Sequence, residues 1–271
     1  RKHFLLNVPY PVIYRTPLKR IVSLTTRLYK KIGTVAGFNL FVVSVAGERV
    51  KICIFAGENN RILQSTFFSM KLILMTTPSF FVEEHQILNA LFEEGLERLH
   101  LRKPNTEPVY SERLLSLISE QHRKKIVVHD HFYLKQEYGL RGIHLNHRNP
   151  EPPSRYKGHL SVSCHTAEEI VAHKKACDYV FLSPIFSSIS KEQYPSAFTT
   201  AELKRLAEQK VIDRRVMALG GISLDRIKDV KELGFGGCVV LGDIWNRFQL
   251  HTTSDFKDLI THFRRLLRAA E

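Results

Sequence analysis

No apolar run in this 271-residue chain reaches the roughly 18 residues that a membrane-spanning helix needs, so no membrane partner is expected. The four cysteines (Cys53, Cys164, Cys177 and Cys238) form no Cys-x-x-Cys pair and no metal-like spacing. Reduced thiols in a cytoplasmic protein are therefore the expectation. Acidic residues are scarce in one place only. Residues 1–69 hold 11 basic residues against two acids, Glu48 and Glu58, while the remainder balances 29 basic against 25 acidic. The net charge of +13 thus belongs mostly to the N-terminal stretch, and nucleic acid is not expected as a partner of the rest.

Residues 1–69 also lack methionine, whereas Met70 opens at once into the strand-like run Met70-Lys71-Leu72-Ile73-Leu74-Met75. A boundary at 69/70 is expected, and three origins are open for the first part. It is upstream sequence read through a misplaced start, a basic transit-like leader, or a genuine extension. The extension would pair Phe38–Val45 with Val50–Phe55 as a hairpin across Gly47-Glu48-Arg49.

From Met70 onward, short apolar runs alternate with helical patterns. Eight strands are predicted at Lys71–Thr76, Arg98–Arg102, Lys125–Asp130, Gly142–Asn146, His159–Cys164, Tyr179–Ile185, Arg215–Gly220 and Gly237–Gly242. Apolar residues at helical spacing, such as Ile87, Leu88, Leu91 and Phe92, fill the segments between. Ser223 is a plausible helix cap and Gly234 a stop. Asn149-Pro150-Glu151-Pro152-Pro153 is too rich in proline for a full helix. No Gly-x-Gly-x-x-Gly follows the first strand. A closed (β/α)₈ TIM barrel is therefore favoured over an open doubly wound sheet, which places chemistry at the C-terminal strand ends.

Those ends are polar: His100-Leu101-Arg102-Lys103, His129-Asp130-His131, His144-Leu145-Asn146-His147, Ser163-Cys164-His165, Gly220-Gly221 and Leu241-Gly242. Glycines after the last two strands let backbone N–H groups approach a phosphate, although tight barrel turns would need them too. The long connection carrying Ser188, Ser190 and Lys191 offers hydroxyls and a cation to a second anion. Asp130 is suited to a hard metal bridging phosphate oxygens.

Through Ser183–Lys191, Val162-Ser163-Cys164-His165-Thr166 and Ala218-Leu219-Gly220-Gly221-Ile222, the chain resembles the thiamine-phosphate synthase family and its TenI-type thiazole tautomerase relatives. The likeness runs over about 71–248. It implies coupling of a hydroxymethylpyrimidine diphosphate to a thiazole phosphate, with release of pyrophosphate and help from Mg²⁺. By position, Arg102 would meet the pyrimidine diphosphate and Asp130 would hold Mg²⁺. Ser163 and Lys191 would contact the pyrimidine or its diphosphate, and Ser188, Ser190, Gly220, Gly221, Leu241 and Gly242 would surround the thiazole phosphate. His100 and His129 stand where the family carries glutamine and asparagine and are expected at the substrate. Lys103 lies one place from the family's lysine and should point away. Asn149 replaces a metal carboxylate, which implies a weakened Mg²⁺ site. Two further readings stay open: a tautomerase with His165 as proton shuttle, and a non-catalytic thiazole or thiamin phosphate-binding protein.

Overall fold

The computed structural model describes residues 38–46, 49–56, 61–187, 196–246 and 253–271. The chain divides into two compact units, Arg1–Ser69 and Met70–Glu271. In the first, strands β1 (Phe38–Ala46), β2 (Arg49–Ala56) and β3 (Arg61–Phe68) form an antiparallel sheet in that order. The β1–β2 pair sets Val45 opposite Val50, at the expected turn. Strand β3 has no counterpart among the sequence expectations, because Arg61, Gln64, Ser65 and Thr66 break up its apolar run.

In the second unit, eight parallel strands close into a barrel. They are β4 (Lys71–Met75), β5 (Leu99–Leu101), β6 (Ile126–Val128), β7 (Gly142–Leu145), β8 (His159–Cys164), β9 (Tyr179–Leu182), β10 (Val216–Leu219) and β11 (Gly237–Val240). Closure comes from β11 pairing with β4, Gly237 opposite Lys71 and Val240 opposite Leu74. Helices cover the outside and side chains fill the inside, so strand residues are buried on both faces. That is why β6, β9, β10 and β11 read as unbroken apolar runs, whereas β5, β7 and β8 carry inward His or Ser between apolar residues. Strand β9 ends at Leu182, three residues before the predicted Ile185. Pro184 has no N–H to continue the ladder, and the chain turns so that the Ile185 amide donates to the Leu219 carbonyl at 2.9 Å.

The helix Glu84–Glu93 buries Ile87, Leu88, Leu91 and Phe92, four residues on one face at three- and four-residue spacing. Truncating one of them, Leu91→Ala for example, would cost about 2–5 kcal/mol. Thr199 and Glu202 form a reciprocal capping box ahead of the helix Thr200–Glu208. Ser223 occupies the cap position of the 3₁₀ turn Leu224–Arg226 but makes no side-chain cap bond. The Leu224 amide donates instead to Asp243 Oδ2 at 3.2 Å. Gly234, at φ +80°, follows the helix Ile227–Glu232 in the left-handed conformation expected of a helix stop. Between β7 and β8 there is no helix, as the prolines dictate. The chain is held there by a small bridge in which Asn146 and Asn149 exchange backbone hydrogen bonds of 3.1 and 3.0 Å.

The barrel interior has two halves. Strands β4, β9, β10 and β11 contribute an apolar cluster of Ile73, Met75, Tyr179, Phe181, Met217 and Val239. The opposite side, from β5 through β8, contributes His100, His129, His144, Ser161 and Ser163. Tyr179 marks the border by turning its hydroxyl toward His100.

Candidate active site

A hydrogen-bonded chain of imidazoles and hydroxyls runs through the polar half of the interior. His100 Nδ1 lies 2.9 Å from His129 Nε2, and its Nε2 lies 2.7 Å from the Tyr179 hydroxyl. His144 spans the hydroxyls of Ser161 (2.8 Å) and Ser163 (2.9 Å), and its ring stacks on His129 at 4.2 Å. Burial pushes the His100 and His129 imidazoles well below their ordinary range and takes His144 down to about 3. All three are therefore neutral near pH 7, and each can donate one hydrogen bond and accept one. Nitrogens of the three rings lie within 4.8 Å of one another, the spacing of a possible metal cluster. Yet the four ring nitrogens of His100 and His144 are already hydrogen-bonded, so a metal there would have to displace this chain. His100 and His129, expected at the substrate, thus sit inside the barrel, under the mouth rather than on it.

Above them, at the ends of β5 to β7, the charged residues converge. Lys103 does point away. It is buried outside the strand ring, with its Nζ 2.7 Å from both oxygens of Glu84 and 2.6 Å from the Ser79 carbonyl. Arg102 turns to the mouth, half-buried, where burial and Arg148 lower its proton affinity and Asp130 raises it. Asp130 accepts from Arg148 Nη2 at 3.1 and 3.4 Å and from Asn149 Nδ2 at 3.1 Å. His131, at φ +54°, swings outward to the Thr106 carbonyl (3.0 Å), so only His129 and Asp130 of that triplet serve the interior and mouth. Arg148 was not among the residues the sequence singled out. It lies 18 positions from Asp130, and only the Asn146–Asn149 turn brings the two together.

This donor set does not make a dedicated Mg²⁺ site. Mg²⁺ takes oxygen ligands in near-octahedral order. Here the one carboxylate of the cluster is occupied by N–H donors, and Asn149 aims its amide nitrogen at Asp130 and at the His129 carbonyl (3.1 Å). The loss of the second carboxylate at Asn149 is thus accompanied by a hydrogen bond in which the asparagine donates.

Around the rest of the mouth, Ser163 is half-buried with its hydroxyl against His144. His165 is exposed, and its Nδ1 meets the Ser183 carbonyl at 2.9 Å. A carbonyl can only accept, so Nδ1 carries the hydrogen of the neutral ring and Nε2 keeps the lone pair. Gly220 and Gly221 take φ +101° and +63°. A Cβ on Gly220 would lie 2.8 Å from Pro184 Cα, and one on Gly221 would run into Phe186 and the Ser187 carbonyl. Their first requirement is therefore the close approach of the segment after β9, whose Phe186 amide donates to Gly220 at 3.1 Å. Leu241 and Gly242 open the short helix Gly242–Trp245 beside them. Ser188, Ser190 and Lys191 lie outside the described residues.

The family model for thiamine monophosphate synthase matches residues 72–244. Among similar proteins, a thiamine-phosphate synthase of Latilactobacillus sakei is 28% identical over 173 residues, 58% of this chain and 76% of that one. A thiamine-phosphate synthase of Halalkalibacterium halodurans is 27% identical over 171 residues, covering 58% and 80%. Among solved structures, a thiamine phosphate pyrophosphorylase from Bacteroides thetaiotaomicron superposes with a TM-score of 0.68 at 52% identity, over 74% of this chain and 98% of that one. The Pyrococcus furiosus thiamine phosphate pyrophosphorylase, at 17% identity and a TM-score of 0.59, shares the fold. These relatives bear the synthase name, which does not favour the tautomerase or non-catalytic readings. With the match running from β4 to the helix after β11, the chain belongs to the thiamine monophosphate synthase family.

Proposed function

We propose that the barrel joins hydroxymethylpyrimidine diphosphate to thiazole phosphate, forming thiamin phosphate and releasing pyrophosphate. The observation that carries this reading is the convergence of Arg102, Asp130 and Ser163 on one mouth, above a polar interior of neutral histidines. In the reaction, the bond between the pyrimidine methylene and the diphosphate oxygen breaks, and its electron pair leaves with pyrophosphate. The thiazole nitrogen then donates a pair to the methylene carbon. Charge grows on the leaving oxygens, so the Arg102 guanidinium, fixed at the mouth before the reaction starts, stabilises the transition state more than the ground state. Lys191 is assigned to the same diphosphate from the family motif. Ser163, held by His144, would orient the pyrimidine. Ser188, Ser190, Gly221, Leu241 and Gly242 are assigned to the thiazole phosphate. Mg²⁺ would enter as counter-ion of the diphosphate and add charge neutralisation there.

We infer a cytoplasmic location for this reaction. Burial raises the thiols of Cys164 and Cys238 to about 12 and of Cys177 to about 11, which keeps them inert. Among the described residues no helix is long and apolar enough to cross a membrane.

The test incubates the full chain with both substrates and Mg²⁺, and separately with thiazole carboxylate phosphate tautomers. Formation of thiamin phosphate supports the synthase. Conversion of tautomers alone would replace it with an isomerase using His165. Binding of thiazole phosphate with neither conversion would refute an enzyme.

A further inference from the structure

Three contacts between chemistry-bearing groups are not explained by the roles assigned so far: the buried Lys103–Glu84 pair, the Asp243–His262 contact of 2.7 Å under the last strand ends, and that of Arg148 with Asp130. The first two are enclosed by protein. The third faces the mouth, and its groups are not used up.

Arg148 reaches Asp130 through Nη2 alone; among the described residues its Nε and Nη1 have no hydrogen-bond partner. The Arg102 guanidinium likewise makes no hydrogen bond among the described residues, although Arg102 is half-buried. Two guanidiniums therefore act on one carboxylate, leaving a net charge of +1 and several N–H donors without a partner among the described residues. The arrangement is built in. Asn146 Oδ1 accepts from the amides of Arg148 (3.0 Å) and Asn149 (3.3 Å), and Asn146 Nδ2 donates to the His129 carbonyl at 3.0 Å. Those bonds tie the turn that carries Arg148 to the strand end that carries Asp130.

Resting on the synthase reading, we propose that Arg148 is the protein's own cation at Asp130. Its guanidinium takes the place on the carboxylate that a divalent ion would otherwise fill, and with Arg102 it forms a clamp that holds a diphosphate without a protein-bound metal. Guanidinium matches phosphate oxygens through paired N–H donors. Asp130 then acts as a positioning residue, holding Arg148 at the mouth through a contact that leaves the remaining donors open.

The test measures binding of inorganic pyrophosphate to the full chain by calorimetry, in EDTA and in Mg²⁺, for the wild type, Arg148→Ala and Arg148→Lys. The wild type should bind in EDTA with a dissociation constant within about threefold of that in Mg²⁺. Arg148→Ala should weaken binding in EDTA by about tenfold or more, the loss of a charge-assisted bond. It should also restore strong Mg²⁺ dependence and add a Mn²⁺ site visible by electron paramagnetic resonance. Arg148→Lys should recover part of the metal-free affinity, and unchanged urea midpoints would show that the variants fold. Wild-type binding only with Mg²⁺, or an Arg148→Ala variant that binds as well in EDTA, would overturn the clamp. If thiamin phosphate still forms, the synthase reading survives that failure. Metal-free pyrophosphate binding without thiamin phosphate formation would instead leave the clamp standing and overturn the synthase.

Discussion

At the scale of the residue, the interior histidines are the most pH-sensitive part of the molecule. His144 is held neutral down to about 3 and His159 down to about 4, both mainly by burial. In the unfolded chain each would take up a proton near pH 6.5. Between those limits the unfolded state binds more protons, so stability is fully present above about pH 6.5 and is lost as pH falls toward 4 and then 3. Each histidine that stays neutral contributes a slope of about 1.4 kcal/mol per pH unit. Urea unfolding at pH 7, 6 and 5 should show this steady loss, and His144→Asn should flatten it; a pH-independent midpoint would contradict the burial of neutral imidazole. Arg102→Ala should lower kcat/KM by at least about tenfold with the fold intact, read from steady-state kinetics. How legible these residues were depended on whether their neighbours lay along the chain. Arg102 and Lys103 could be assigned opposite directions from strand alternation alone. The contact of His100 with Tyr179 spans 79 positions and that of Arg148 with Asp130 spans 18, and no local pattern encodes either.

At the scale of the element, two connections position the mouth. Lys103, at the end of β5, ties the turn after β4 through Thr77, Ser79 and Glu84, with its ammonium also 4.4 Å from the Phe80 ring centroid. Burial raises the Glu84 carboxyl and lowers the Lys103 ammonium, and each partner offsets the shift of the other. Removing one partner leaves a buried group unpaired. Lys103→Met should cost about 3–5 kcal/mol in urea unfolding, and the double variant Lys103→Met/Glu84→Leu should recover much of it. On the other side, Gly221→Ala should disturb the mouth more than an ordinary turn substitution, because the new Cβ would meet backbone atoms of the segment after β9. A fall in both melting temperature and thiazole phosphate affinity is expected. Most of the strands were legible because burial on both faces leaves a short apolar run, interrupted in β5, β7 and β8 by inward His and Ser. Their ends were less so: β9 and β10 stop short of the predicted limits where Pro184 and the glycines redirect the chain. The glycines themselves suited two explanations in sequence, and only the approach of Pro184 and Phe186 shows the steric one.

At the scale of the whole molecule, the described residues form an antiparallel sheet between Phe38 and Phe68 and a closed barrel in the unit Met70–Glu271. Every barrel strand is paired on both sides within the second unit, and Met70 is anchored by its amide to the Ala270 carbonyl at 3.0 Å. Deleting residues 1–69 should therefore leave the melting temperature of the rest within about 2 °C, measured by calorimetry. A larger drop would show that the first unit supports the second.

The link between β7 and β8 has a consequence for engineering. Among the described residues no helix lies between these two strands. From Pro150 to Gly158 the chain is mostly exposed, with Tyr156 bonded through its hydroxyl to the His159 carbonyl at 2.8 Å as a local anchor. Because no helix among the described residues of the barrel spans that link, foreign sequence inserted between Pro153 and Arg155 would displace none of their core contacts. It would also emerge beyond the Asn146–Asn149 turn that holds Arg148. This link is where the barrel should accept a fused domain or tag while keeping its mouth intact.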